Sequence, residues 1–334
     1  MRMTHSVARR LAGWCAVVAI AAGARTARAQ VANNGALDLL VPIGARSTGM
    51  GTAFAAEEGS EAIWWNPAGV ARLPRSEFAL DHLENFILKG DAVSFVAPIK
   101  GLGAIGLTAR LFNYCSDCAT TDTLGNVTGA LLERSIVLGG TFASTFGPRA
   151  NAGVTYRIYQ FRNDCSGSCP AEALGSATTS AVDVGVQFRP LPTAPLRIGL
   201  ALRNLGPRLQ VKDQPQADPL PARFDAGASY DPHFAQQAPE LKLRVTADLV
   251  STLSLGSPEI HLGAQAGYLA GTATLLVRGG YVLHESTGGE SNTGPSLGLG
   301  LASGRVQLDL ARIFESFSSG LGKPPTYISI RVGL

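Results

Sequence analysis

Long parts of the chain alternate apolar and polar residues with a period of two. In Ala181–Arg189, Val182, Val184, Val186 and Phe188 alternate with Asp183, Gly185, Gln187 and Arg189. Leu196–Arg203 sets Leu196, Ile198, Leu200 and Leu202 against Arg197, Gly199, Ala201 and Arg203. Leu241–Leu249 and Arg305–Leu310 repeat the pattern. Each run predicts a strand with one apolar and one polar face. Turn clusters separate the runs, among them Lys100–Gly103, Gly147–Arg149, Pro190–Pro195, Gly206–Pro219 and Gly320–Pro325. Marking strands between them gives about 14, with starts near Ser76, Asp91, Gly103, Ala130, Ala150, Ala177, Leu196, Ala222, Leu241, Glu259, Thr272, Pro295, Arg305 and Thr326.

After Gln30 no stretch of 18 apolar residues lacks a charge, so a membrane helix is excluded. A closed barrel is the other way for a backbone to cross lipid. The even strand count, with short turns alternating with longer loops, predicts an all-β, antiparallel transmembrane barrel over residues 75–334, both mature termini periplasmic. An exported β-sandwich also alternates. Three features speak against it. Charges of both signs share the polar faces: Asp183, Arg189, Arg197, Arg203, Lys242, Arg244 and Asp248, expected to face a lumen. The opposite faces are aliphatic in strand after strand. The last strand also runs to the final residue, with Ile328, Ile330, Val332 and Leu334 on one face.

Residues 30–74 do not alternate; small residues dominate, with Gly44, Gly49 and Gly51 early in the segment. No phosphate-cradling motif matches these glycines. Ala62–Trp65, with Trp64 and Trp65, followed by Asn66-Pro67-Ala68-Gly69, reads as a helical turn ended by a proline turn. A Gly/Ala-rich segment packs tightly in a confined space, so a hatch inside the barrel lumen is expected.

Composition separates two polypeptides. The 334 residues hold 28 Lys+Arg and 25 Asp+Glu. Arg2, Arg9, Arg10, Arg25 and Arg28 fall in the first 29 positions, which hold no acid, leaving 23 basic and 25 acidic residues beyond. A basic start, the apolar run Leu11–Ala24 and Ala27-Arg28-Ala29 have the layout of a cleaved signal peptide, residues 1–29. The slightly acidic remainder excludes a nucleic-acid partner attracted by overall charge. Charged residues are only 16% and glycines number 39, as expected where much of the surface faces lipid rather than water.

Gly44–Phe54 (GARSTGMGTAF) and Ala62–Gly69 (AIWWNPAG) resemble the opening of PorV/PorQ family outer-membrane proteins, as does Ala201–Pro207 (ALRNLGP) with Leu220-Pro221. The broader relation is to FadL-type transporters, which share the Asn-Pro-Ala turn. The resemblance implies a 14-stranded barrel plugged by an N-terminal hatch, with Asn66, Pro67 and Ala68 in the hatch turn. The PorV-like relation implies a non-enzymatic role in type IX secretion, with exported cargo proteins or secretion components as partners. The FadL-like relation implies transport of hydrophobic small molecules such as fatty acids or hydrocarbons. The short, polar loops Cys115–Gly129 and His284–Gly294 favour the first.

Cys115-x-x-Cys118 and Cys165-x-x-x-Cys169 fall in consecutive outer loops. In an oxidising compartment disulfides are the expected state, and local pairing is the simplest of three connectivities. A four-cysteine zinc site is the alternative. His82, His233, His261 and His284 are scattered without metal spacing, and no catalytic constellation, metal site or cofactor is expected.

Overall fold

The computed structural model describes residues 34–85, 88–169, 175–191, 195–212, 216–232, 240–254, 258–284, 294–314 and 324–334. The leader and His233 lie outside the described residues, as do the side chains of Cys115 and His284.

The strands are β1 (Glu77–Glu84), β2 (Lys89–Ile99), β3 (Gly103–Thr121), β4 (Val127–Phe146), β5 (Ala150–Gly167), β6 (Gly175–Phe188), β7 (Leu196–Leu205), β8 (Leu209–Gln210), β9 (Ala217–Asp218), β10 (Arg223–Tyr230), β11 (Leu241–Thr252), β12 (Glu259–Ala270), β13 (Ala273–His284), β14 (Gly294–Ser303), β15 (Val306–Ile313) and β16 (Thr326–Gly333). β8 and β9 form a separate two-stranded ribbon; the other 14 close into one antiparallel barrel, β1 pairing with both β2 and β16. Every one of the 14 starts within three residues of the position expected from the alternation. Closure leaves no open edge in lipid.

The burial pattern shows why the strands alternate. On β6, Val184, Val186 and Phe188 are exposed on the outer wall while Asp183 and Gln187 are buried inside. The same outer belt takes in Leu107, Phe142, Ile158, Leu200, Leu262, Val277, Leu299, Leu310 and Ile330, all more than a third exposed. A continuous aliphatic and aromatic exterior on a closed barrel is the surface that hydrocarbon selects. One end carries the short turns and Leu334, whose N–H donates to the Ser76 carbonyl at 2.8 Å; it is called the inner end here. The opposite, outer end has the connection that carries β8 and β9.

Two expectations need correction. Cys115, Cys118 and Cys165 lie in strands, not in loops, because β3, β4 and β5 run for 19, 20 and 18 residues. About ten suffice to span a bilayer, so this three-stranded sheet projects beyond the outer end. Register shifts between Asn113, Cys115 and Cys118 break the alternation there, which hides the extension from a period-two reading. The second correction is the ribbon β8–β9, inside what reads as a single turn cluster.

Cys165 and Cys169 are disulfide-bonded to each other, and Cys118 is disulfide-bonded as well. A closed barrel resists detergent until heated; the protein should therefore migrate differently on a denaturing gel before and after boiling, and identical mobility would contradict closure.

Candidate functional site

The segment Asn34–Leu73 fills the lumen. It contains single 3₁₀ turns at Leu37–Leu40, Ser60–Trp64 and Pro67–Val70 and one short helix, α1 (Ala45–Gly49). Most of it is buried, with Ala45, Phe54, Asn66 and Ala68 at 0% exposure. Two kinds of contact hold it: backbone packed on interior glycines, and charges paired with strand residues.

The glycine contacts begin at Asn66. Its Oδ1 accepts the Ala68 N–H at 3.0 Å, capping the Pro67–Val70 turn, while Pro67 at the first helical position needs no donor there. Its Nδ2 donates to the carbonyls of Ala55 (2.7 Å), Val186 (3.2 Å) and Leu200 (3.3 Å), the last two on β6 and β7. Gly185 and Gly153, paired across β5 and β6, face this turn. A methyl group on Gly185 would collide with the Asn66 side chain, and one on Gly153 with the Pro67 backbone. On the opposite wall, Gly263 and Gly280 pair across β12 and β13 and receive the Met50–Gly51 backbone in the same way. Gly51 has φ 62°, in the left-handed region that glycine takes without strain. Gly49 packs against Gly298 of β14, and Gly44 (φ 98°) against the Glu61 side chain. Trp65 donates from Nε1 to the Ile43 carbonyl at 3.2 Å and lies under the Arg203 guanidinium, 5.2 Å from the ring centre. Trp64 is buried beside it, its main-chain carbonyl accepting from Arg203.

The charges form a ring. Glu57, fully buried, accepts from Ser229 Oγ (2.6 Å), Arg244 Nη1 (2.9 Å) and Arg197 Nη2 (3.4 Å), and pairs with Arg46 of α1. Glu57 sits on the plug and not on a membrane-spanning strand. Burial alone would raise its pKa, but Arg244, Arg46 and Arg197, with the Ser229 hydroxyl, hold it down at about 2 against an ordinary 4.5. Glu58 pairs with Arg189 at 2.5 Å. Glu61 accepts from Arg331 at 2.9 Å, and Arg331 also pairs with Asp309, to which Arg278 donates at 2.7 Å. Asp248 receives the Phe54 and Ala55 N–H groups, both at 2.7 Å. Toward the outer end, Asp38 pairs with Arg110 at 2.6 Å, and Thr52 Oγ1 lies 2.6 Å from His261 Nδ1, whose Nε2 is 2.8 Å from Glu259.

The seven charges that the alternation points inward are therefore placed as follows. Arg189, Arg197, Arg244 and Asp248 bond directly to the plug. Arg203 bonds to Asp225 at 2.8 Å as well as to the plug, and Asp183 pairs with Arg157 at 2.5 Å. Lys242 is exposed and lines an inner-end cavity of about 600 Å³, together with Arg46, Glu58, Asp231, Arg244 and Arg278. The Ala201–Pro207 motif makes a bulge: Arg203 and Asn204 together face Asp183, which accepts the Asn204 N–H at 2.8 Å, and Asn204 has φ 60°. Asp309 lies on the polar face that the alternation of Arg305–Leu310 marks, whereas Asp38, Arg46, Glu57, Glu61, Arg110, Arg278 and Arg331 were not singled out. One signal marks the plug acids: Asp38, Glu57, Glu58 and Glu61 stand in an otherwise small-residue stretch, and acids there require cations from the wall.

In the outer half, Ala36, Leu39, Val137, Tyr159, Ala177, Ala181, Leu209 and Leu220 form an apolar cluster, with Phe161 and Val211 packed on it. The lumen is thus polar and open at the inner mouth, sealed by paired charge in the middle, and apolar under the ribbon β8–β9.

No family model matches the sequence and no curated protein matches it. Solved structures do match its fold. The toluene transporter TodX of P. putida aligns with TM-score 0.57 at 11% identity, over 87% of this chain and 98% of that one. The Ralstonia pickettii toluene transporter TbuX gives 0.52 at 15% identity (87% and 98%), and a Pseudomonas aeruginosa FadL homologue 0.52 at 12% (88% and 99%). The chain has the 14-stranded fold of FadL-type outer-membrane barrels.

Loss of the cap and of three donated hydrogen bonds in Asn66→Ala should weaken plug seating by about 2–3 kcal/mol. Gly185→Leu, which fills the space of the Asn66 side chain, should unseat it further. Single-channel conductance in planar bilayers should rise in the order wild type, Asn66→Ala, Gly185→Leu. Because folding lowers the Glu57 pKa, its contribution is complete above about 4.5 and is lost as pH falls toward about 2. Wild-type conductance should therefore climb on acidification through that window. Glu57→Gln should already be elevated at neutral pH, with a shallower acid response.

Proposed function

We propose that the protein is a non-enzymatic outer-membrane channel that admits hydrophobic small molecules, its N-terminal plug controlling passage. The observation that carries this reading is the apolar cluster enclosed in the outer half of the lumen between Leu39, Val137, Tyr159, Leu209 and Leu220. A channel for hydrophilic solutes has a charged, hydrated lumen; an interior of aliphatic and aromatic side chains takes molecules that partition out of water. The fold shared with the toluene transporters TodX and TbuX supports the same reading. So does the anchoring of the Asn66 turn to β6 and β7, two residue positions from the register break between Val182 and Val184.

The type IX secretion role implied by the PorV/PorQ resemblance receives less support. The matching transporters favour the small-molecule alternative over a cargo platform. Outer-membrane lipid remains the surrounding partner of the exposed belt.

Reconstituted vesicles test the proposal. Uptake of a labelled monoaromatic or alkyl compound should exceed that of empty vesicles, and uptake of a sugar of similar size should not. Equal permeability to both would overturn it, as would a deletion strain that loses surface delivery of exported proteins while taking up hydrophobic compounds normally.

A further inference from the structure

A second cavity opens at the inner end, along the seam between plug and wall. It has a volume of about 170 Å³ and is lined by Arg46 and Ser60 of the plug, Arg75 just before β1, Arg305 in the turn between β14 and β15, and Arg331 of β16. Through Arg46 it adjoins the larger inner-end cavity. Four guanidinium groups in this lining meet one carboxylate, that of Glu77.

Gly333 sets the geometry. Its N–H donates to the Arg305 carbonyl at 2.7 Å, which fixes the turn that carries that side chain. Arg75 rests on its Cα, so that a methyl group on Gly333 would collide with the Arg75 guanidinium. Arg331, two residues earlier on β16, shares the lumen face with Gly333. Glu77 stands directly opposite Gly333 on β1.

The four cations are not equally satisfied. Arg331 pairs with Glu61 and Asp309, and Arg46 with Glu57, an acid it shares with Arg197 and Arg244. Arg75 and Arg305 are exposed and make no ion pair among the described residues. Two buried donors are also unused: Ser60 Oγ and Arg331 Nε have no hydrogen-bond partner, in residues that are 1% and 7% exposed. A positive recess whose donors converge from plug, turn and strand suits a tetrahedral oxyanion, and guanidinium forks match phosphate oxygens in charge and spacing.

We infer that this recess binds a phosphate group, with Arg75 and Arg305 supplying the attracting charge and Ser60 and Arg331 the buried donors. Ser60 belongs to the plug and the other three to the wall. A bound phosphate therefore bridges the two and favours the seated plug over a displaced one. The site is independent of what crosses the lumen. Phosphate can reach it as a free ion or soluble ester, or as the headgroup of a lipid at the rim beside exposed Val306 and Leu334.

The test is calorimetric titration of the purified full-length protein in non-ionic detergent, at low ionic strength and about pH 8, where a phosphate monoester is dianionic. Inorganic phosphate is the probe and acetate the control; phosphate should bind and acetate should bind far more weakly. Arg75→Gln combined with Arg305→Gln breaks no internal ion pair and should keep heat-dependent gel mobility. It should bind phosphate about tenfold more weakly or worse. Ser60→Ala should weaken binding by about fivefold. Glu77→Gln, which removes a like charge, should tighten it. Saturating phosphate should also raise the temperature of the gel-mobility change in wild type and not in the double variant. Glycerol phosphate and dioctanoylphosphatidylglycerol separate the two sources: whichever binds tighter, with the loss in the double variant, is the form the site takes. Acetate binding as tightly as phosphate would overturn the proposal. So would undiminished phosphate binding in the double variant or in Ser60→Ala, or weaker binding in Glu77→Gln.

Discussion

A carboxylate taken into a sealed lumen must meet a cation there, and this constraint fixes the position of the whole plug. An unpaired buried charge costs several kcal/mol, whereas a well-placed pair with added hydrogen bonds recovers most of that cost. Each acid of the plug has its own arginine on a different part of the wall: Asp38 with Arg110 of β3, Glu57 with Arg197 of β7 and Arg244 of β11, Glu58 with Arg189 after β6, and Glu61 with Arg331 of β16. Five pairs distributed around the circumference set both the rotation and the depth of the segment. A slip along the axis would break several of them together.

The same contacts require backbone to approach backbone, and here the glycines enter. In an antiparallel ladder, directly opposed residues point to the same face. The opposed pairs Gly153–Gly185, Gly199–Gly227 and Gly263–Gly280 therefore each open a slot on the lumen side. Into these slots fit Pro67–Ala68, Ala55 and Met50–Gly51. Asp248 rises through the second slot to take the Phe54 and Ala55 N–H groups, satisfying donors that the plug cannot pair internally. Low overall charge and abundant glycine are thus two sides of one arrangement. The outer wall faces hydrocarbon, and the inner wall gives up side chains wherever the plug backbone rests.

The strands were legible from the sequence because lipid outside and a filled lumen inside impose a strict period of two. β6, with Val184, Val186 and Phe188 out and Asp183 and Gln187 in, shows how little else is needed. The upper parts of β3 and β4 were not legible, since the bulges at Cys115 and Cys118 shift the faces and neither side there is held by a bilayer. The Asn66-Pro67-Ala68 turn could be read locally, but not its grip on the Val186 and Leu200 carbonyls, more than a hundred residues away. Glu61 and Arg331 are 270 positions apart; no local pattern encodes that pair. What the sequence does carry is a pair of imbalances, acids placed in a small-residue plug and arginines such as Arg110, Arg278 and Arg331 on strands whose other face is aliphatic.

For a hydrophobic molecule the two halves of the lumen are not equivalent. The outer half is lined by Leu39, Val137, Leu209 and Leu220, whereas the inner cavity presents Arg46, Lys242, Arg244 and Asp231 to water. Moving a buried aromatic ring of roughly 150 Å² from the first to the second costs about 4 kcal/mol at 25 cal/mol per Å². That step lies across the Glu57 ring and the Asn66 turn, so the thermodynamic barrier coincides with the tightest part of the plug. The charge that seats the plug thereby also grades the lumen, from hydrocarbon in the outer half to charge and water at the inner mouth.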